Sequence, residues 1–295
     1  MKRPEPRWHV AVVGILALLS LAGAALTHAA ENTGEHAIER QPWSFTGFSG
    51  QYDRAQLQRG FQIYQQVCSA CHGLKRVRFR NLAEPGGPQF PEAAVKALAT
   101  AWPYQISGEL DDQGNPIDRL PGLADPIIGP YKNDVQARAA QNGALPPDLS
   151  LIVKARNVES HAGWYSQWLW MLRDMAIGYQ EGGADYLYAL LTGYHDAPAG
   201  VQVNEGMYYN LAFPGNQLAM PTPLAKDNFV EYQPDADTKG SLDQNAHDVT
   251  AFLAWAADPT LDSRKELGWQ VLLYLAITTV LLYFVKKQIW ARLKH

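Results

Sequence analysis

Two cysteines, the only ones among 295 residues, stand three positions apart and run directly into a histidine: Cys68-Ser69-Ala70-Cys71-His72. Thiols at this spacing reach the two vinyl groups of one porphyrin, and the adjacent imidazole falls beneath its iron. The pentapeptide is therefore the attachment sequence for a c-type haem. Other uses of these residues fit less well. Structural zinc requires four nitrogen or sulfur ligands, and no second cysteine pair supplies them. A thioredoxin-type redox pair belongs in a cytosolic βαβ setting. A bare disulfide would leave His72 without a role. The expected chemistry is one-electron transfer at one covalently bound haem c, with His72 as proximal iron ligand.

A sixth ligand must come from elsewhere in the chain, and a high-potential carrier uses methionine. Met220 stands in Leu218-Ala219-Met220-Pro221-Thr222-Pro223-Leu224, where prolines stiffen the chain and can hold a sulfur in place without a helix. It is the expected ligand. Met207, beside Tyr208-Tyr209, and a bis-histidine arrangement through His161 or His195 remain as alternatives. Met171 and Met175 sit four apart on a Trp-rich stretch, where packing is the ordinary duty of a flexible thioether. His247 reads as a surface residue.

The elements that must position these groups read as mainly α, with the length of the chain spent in loops. Leu57, Phe61, Tyr64 and Cys68 share one face of a helix expected over Asp53 to Val67, which delivers the thiols. A short helix from Pro91 to Ala101 precedes a Pro/Gly-rich stretch, 102–130, with no regular pattern. Asn133 can cap a helix that stops by Gly143, and Pro146-Pro147 keeps the segment 144–150 extended. Helices are further expected over Gly163 to Ile177, Gly183 to Tyr194 and Asn245 to Ala257. The first and last of these haem-domain helices are expected to pack together.

Two apolar stretches set the compartment. Lys2, Arg3 and Arg7, an apolar core from Val10 to Leu26 and the small-residue exit Thr27-His28-Ala29-Ala30 read as a cleaved signal peptide over 1–30. An exported haem domain is then expected over 31–258 and a linker over 259–267. A membrane helix over 268–285 and a basic tail over 286–295 follow. Gly268 to Val285 carries no charge and is long enough to cross the hydrocarbon core. Lys286, Lys287, Arg292 and Lys294 after it place the C-terminus in the cytoplasm by the positive-inside rule.

With the terminal stretches set aside, residues 31–266 carry 18 Lys and Arg against 28 Asp and Glu, a net charge of −10. Such a surface suits a basic redox partner and argues against nucleic acid. Glu109, Asp111 and Asp112, and the run Glu231, Asp235, Asp237, Asp243 and Asp248, are the candidate acidic faces. Lys75, Arg76, Arg78 and Arg80, just after the haem motif, read as a solvated or propionate-facing edge.

The chain resembles the cytochrome c1 family along nearly its whole mature length. The haem motif carries the resemblance together with Asn142 to Ser150, Asp185-Tyr186 through Tyr194, Tyr208 to Gly215, Ala219-Met220-Pro221 and the tail anchor. The resemblance implies an elaborated class I cytochrome c-like haem domain with long loops and one C-terminal transmembrane helix. It implies Met220 as sixth ligand, Arg156 and Tyr186 at the haem propionates, and the Pro146-Pro147 segment on the proximal side. A Pro147 carbonyl accepting the His72 ring N–H is the usual device for orienting an axial imidazole. One departure is visible: Arg156 and Gly182-Gly183 are adjacent in many relatives, whereas here Asn157 to Glu181 intervenes, resembling an insertion of bacterial members.

The implied role is that of an electron-transfer subunit of the quinol–cytochrome c reductase, without catalytic chemistry of its own. It would take an electron from a Rieske-type iron–sulfur protein, sit beside cytochrome b, and deliver to a cytochrome c. The expected location is the bacterial inner membrane in a single pass, haem domain periplasmic. The competing readings are a free-standing membrane-tethered shuttle and a haem enzyme such as a peroxidase. The peroxidase needs an open or displaceable sixth position, which Met220 argues against.

Overall fold

Asp53 and Ser241 cap the two helices around which the haem-motif domain is built. In the computed structural model, residues 38–156, 168–169, 172, 182–224 and 240–292 are described. The helices are α1 (Arg54–Gln66), α2 (Glu92–Thr100), α3 (Asp134–Ala140), α4 (Ile152–Ala155), α5 (Gly182–Thr192), α6 (Leu242–Ala257) and α7 (Leu261–Trp290). Short strands β1 (Leu74–Arg78), β2 (Ile106–Leu110), β3 (Pro116–Arg119), β4 (Pro126–Ile127), β5 (Tyr208–Tyr209) and β6 (Gln217–Leu218) pair antiparallel as β1–β4, β2–β3 and β5–β6. The described chain is mainly α, as its sequence led us to expect.

The Asp53 carboxylate accepts from Gln56 N at 3.0 Å, and Ser241 Oγ from Gln244 N at 3.2 Å, each filling an otherwise unbonded first-turn amide. Helix α1 then lies against α6, with Phe61 and Tyr64 meeting the Phe252 ring at centroid distances of 5.5 and 5.8 Å. Gly60 permits the approach, because a Cβ there would stand 2.1 Å from the Asp248 carbonyl oxygen. Next to it Arg59 forks onto the fully buried Asp248 at 2.7 and 3.1 Å. Asp248 is thus part of the helix interface and not of an acidic face.

Three elements differ from the sequence reading. The stretch 102–130 holds a hairpin, β2–β3, and strand β4. Its regularity is invisible in hydropathy because the hairpin is exposed almost throughout. Helix α6 begins three residues before Asn245, at the Ser241 cap. The expected linker 259–267 is helical from Leu261 onward and continuous with the apolar span, so Gly268 marks a change of composition only. The signal stretch 1–30 and most of the expected helix 163–177 lie outside the described residues, as do Glu231, Asp235 and Asp237.

Candidate haem-binding site

Where α1 ends, the chain tightens into a 3₁₀ turn over Cys68–Ala70, and the amides of Cys71 and His72 both donate to the Cys68 carbonyl at 3.1 and 2.9 Å. Ser69 Oγ bonds back to the Gln65 carbonyl at 2.7 Å. This turn carries both thiols and the imidazole on a few residues. Neither cysteine is in a disulfide. Burial, reinforced by Cys71, pushes the Cys68 thiol up to about 12, so it is protonated at neutral pH.

His72 is oriented by the proline segment. Its Nδ1 lies 2.7 Å from the Pro147 carbonyl oxygen. A carbonyl only accepts, so Nδ1 carries the proton and Nε2 keeps the lone pair that binds a metal. Burial holds the ring below its ordinary value against the opposing pull of the Pro147 carbonyl and Asp148, which favours this neutral form. The segment is fastened along its length: Leu149 N donates to Gly73 O at 3.0 Å, Lys75 N to Asp148 Oδ2 at 2.8 Å, and Arg76 N to Ser150 Oγ at 3.0 Å. Asp148 and Ser150, joined by a turn in which Ser150 N donates to Asp148 Oδ1 at 3.0 Å, were not singled out from sequence. Gly73 and Gly129 were also missed; a Cβ on Gly73 would lie 2.8 Å from Gly129 N. Tyr64, fully buried in α1, donates to the His72 carbonyl at 3.0 Å.

Met220 follows β6, and Met207 precedes β5. The pairing Tyr208↔Leu218 brings both methionines to the same end of that ladder. They differ in backbone restraint: the Met220 carbonyl accepts from Tyr194 OH at 3.1 Å, and Pro221 and Pro223 follow it. Asn210, also missed from sequence, ties this loop to α5. Fully buried, it donates to Leu190 O at 2.8 Å and accepts from Ala212 N at 2.9 Å and Phe213 N at 3.2 Å. Its amide signature could have been found in Asn210 standing polar between apolar neighbours.

Burial raises the Tyr186 hydroxyl above its ordinary value, opposed by the charge of Arg156, which lies within electrostatic reach. Gly183 lets the start of α5 lie against the end of α4, since a Cβ there would stand 1.7 Å from the Val153 carbonyl oxygen and 2.3 Å from that of Arg156. Arg156 and Gly183, which flank the stretch 157–181, are therefore apposed. His195 is exposed beside Tyr194, whereas His161, Met171 and Met175 lie outside the described residues. His247 is half-buried rather than fully on the surface; its ring packs against Trp43 and Tyr188 at centroid distances of 4.4 and 4.8 Å. Lys75, Arg76, Arg78 and Arg80 are all exposed, a solvated edge.

Two unpaired thiols, an imidazole with its Nε2 free and a thioether on a proline-stiffened loop are the donor set of a six-coordinate c-type haem. The residues fit that group. Comparison with known proteins agrees in kind. The profile of the cytochrome C1 family matches residues 43–293. The chain is 42% identical to a cytochrome c1 of Blastochloris viridis over 96% of each chain. It is 39% identical to a cytochrome c1 of Rhodospirillum rubrum over 97% of each. It is 42% identical to a cytochrome b/c1 of Bradyrhizobium diazoefficiens over 95% of this chain and 40% of that longer protein.

Proposed function

The chain belongs to the cytochrome c1 family, and we propose that its haem is attached through Cys68 and Cys71, with His72 and Met220 as axial ligands and Arg156 and Tyr186 at the propionates. The protein is an electron-transfer subunit of the quinol–cytochrome c reductase, the bc1 complex, and carries one covalent haem c. It does no catalytic chemistry by itself. The haem, when bound, supplies an iron that gains and loses one electron.

This chain's residues hold that centre still. Pro147, fastened through Leu149, Asp148 and Ser150, fixes the tautomer and plane of His72. The Tyr194 bond to the Met220 backbone and the two following prolines restrain the loop that presents the thioether. Arg156 supplies a guanidinium suited to forking onto a carboxylate. The observation that carries the site is the 2.7 Å bond from His72 to Pro147, because it leaves Nε2 as the only ligating nitrogen.

The proposed partners are a Rieske-type iron–sulfur protein as donor, a cytochrome c as acceptor and cytochrome b as membrane neighbour. The relative named cytochrome b/c1 supports the last. The apolar helix α7, with Lys286, Lys287 and Arg292 at its end, supports single-pass anchoring in the bacterial inner membrane. In that arrangement the haem domain, proposed as 31–258, is periplasmic and the tail cytoplasmic.

Met220→Leu tests the ligand set. The variant should keep its covalent haem, lose the far-red sulfur-to-iron absorption and fall in potential, while Met207→Leu changes neither. The reverse pattern would hand the sixth position to Met207. Reduced wild-type protein should refuse carbon monoxide, and binding of the gas would reopen the reading of a haem enzyme.

A further inference from the structure

Residues 44–51 close on themselves and are pinned to the first turns of the anchor. Gln51 N donates to Ser44 O at 3.1 Å, joining the ends of the loop. Gly50 is forced, since a Cβ there would stand 2.0 Å from the Thr46 carbonyl. From α7, Lys265 Nζ donates to both the Phe45 and Gly50 carbonyls at 2.7 and 2.9 Å, and the Asp262 carboxylate accepts from Tyr52 N at 3.2 Å. The loop so held does not bury its tip. Phe48 is 64% exposed and meets Trp269, itself 58% exposed, edge to face at 5.6 Å.

Trp269 is the second residue of the uncharged span, and Trp290 closes the helix at its other end. The uncharged span 268–285 is about 27 Å long at 1.5 Å per residue, close to the thickness of a hydrocarbon core, with Trp269 at its start and Trp290 just beyond its end. Trp269 therefore stands at the lipid boundary on the haem-domain side, where amphipathic rings concentrate. Phe48 is at the same height, on the haem domain itself. A tightly built loop has no folding reason to expose a phenylalanine beside an exposed tryptophan, and the surface they make is continuous with the anchor.

We infer that Phe48 and Trp269 form an interfacial foot, a second membrane contact by which the haem domain rests among lipid headgroups. This rests on the reading of α7 as the membrane anchor. Lys265 and Asp262 give the foot its geometry, so that the domain is held at a set height and tilt over the bilayer rather than swinging from a single helix.

Spin labelling tests it in the full haem-loaded chain, because Cys68 and Cys71 are consumed by the haem and an added cysteine is the only free thiol. Labels are placed at Phe48→Cys, at Ser49→Cys beside it, at Val135→Cys on exposed α3 and at Leu275→Cys within the span. The protein is reconstituted in phosphatidylcholine vesicles containing phosphatidylglycerol. Collision with oxygen and with a water-soluble nickel chelate is then measured. The labels at 48 and 49 should be severalfold less accessible to nickel than the label at 135 and should remain open to oxygen. Adding Phe48→Glu to the label at 49 should return nickel access to the level at 135. Full nickel access at 48, shielding from both reagents (a protein contact instead of lipid), or indifference to Phe48→Glu would each overturn the foot. Nickel access at 275 would overturn the anchor reading as well.

Discussion

One carbonyl settles the chemistry of His72. By accepting the Nδ1 proton, Pro147 dictates which nitrogen is left for iron, and Asp148 and Ser150 dictate where Pro147 sits. The same scale governs Arg156, whose charge reaches the Tyr186 hydroxyl. A cation beside a haem favours the reduced form, which carries one positive charge fewer. Arg156→Gln should therefore lower the midpoint potential while leaving both axial ligands, and so the spectrum, unchanged. A wild-type potential in redox titration would take Arg156 off the site.

At the scale of elements, α1 matters because it carries the haem motif at its end, and α6 holds α1. Their contact depends on a glycine that lets two backbones approach and on one buried ion pair, Arg59 with Asp248. The Asp248 carboxylate is fully buried but the Arg59 side chain is 23% exposed, so removing Asp248 leaves a cation that water can reach, at a cost of about 1–3 kcal/mol. Asp248→Ala should lower the unfolding free energy read from denaturant titration by that much and reduce the yield of haem-loaded protein. A loss under 1 kcal/mol would mean that the pair is not what holds the helices. The β2–β3 hairpin shows the opposite use of charge. Arg119 bonds both Glu109 and Asp125, and Asp111 closes the turn on Asn115 and Gln113. Of the acidic trio expected as a docking face, Glu109 is paired with Arg119, Asp111 holds its turn through neutral amides and keeps its charge, and Asp112 makes no side-chain bond among the described residues.

Across the whole molecule, the haem domain and the anchor meet in a polar joint. Asp258, ending α6, accepts from Arg264 on α7 at 3.0 and 2.6 Å and from Lys154 on α4 at 3.3 Å. Burial would raise its carboxyl, yet Arg264 and Lys154 outweigh burial and hold it below the ordinary range. A soluble domain cut after Leu267 keeps this joint, whereas one cut after Asp262 loses Arg264 and Lys265. The longer fragment should be the more stable at pH 7 by about 1–2 kcal/mol, a figure reduced for the solvent around Arg264. Because the folded carboxyl titrates low, the part of that advantage owed to Arg264 is complete above pH ~4 and fades as the pH falls through the folded value, whereas the part owed to the Lys265 bonds to the Phe45 and Gly50 carbonyls stays. Thermal melts of both fragments across this range check it; a constant difference would place the stabilisation elsewhere.

The local order of residues determined what could be read without a fold. Cys68, Cys71 and His72 act within one turn. Asp53, Asn133 and the Pro146-Pro147 pair act on their nearest neighbours, and the span from Gly268 is a property of composition. These hold in any tertiary setting, which is why helices α1 to α3 and the haem chemistry were legible. What the fold decided are pairings across long stretches of chain. Asp248 reads as surface charge until Arg59 meets it, His247 as a surface residue until Trp43 and Tyr188 half-bury it, and Asn210 as a loop residue until α5 reaches it. The hairpin at 106–119 gives no hydropathy signal because neither face is buried. The joint at Asp258 and the pinning of the Phe48 loop by Asp262 and Lys265 depend on α7 running unbroken through the expected linker. A sequence lists which groups are charged or apolar; their energies depend on which groups desolvate them, and only tertiary structure supplies those neighbours.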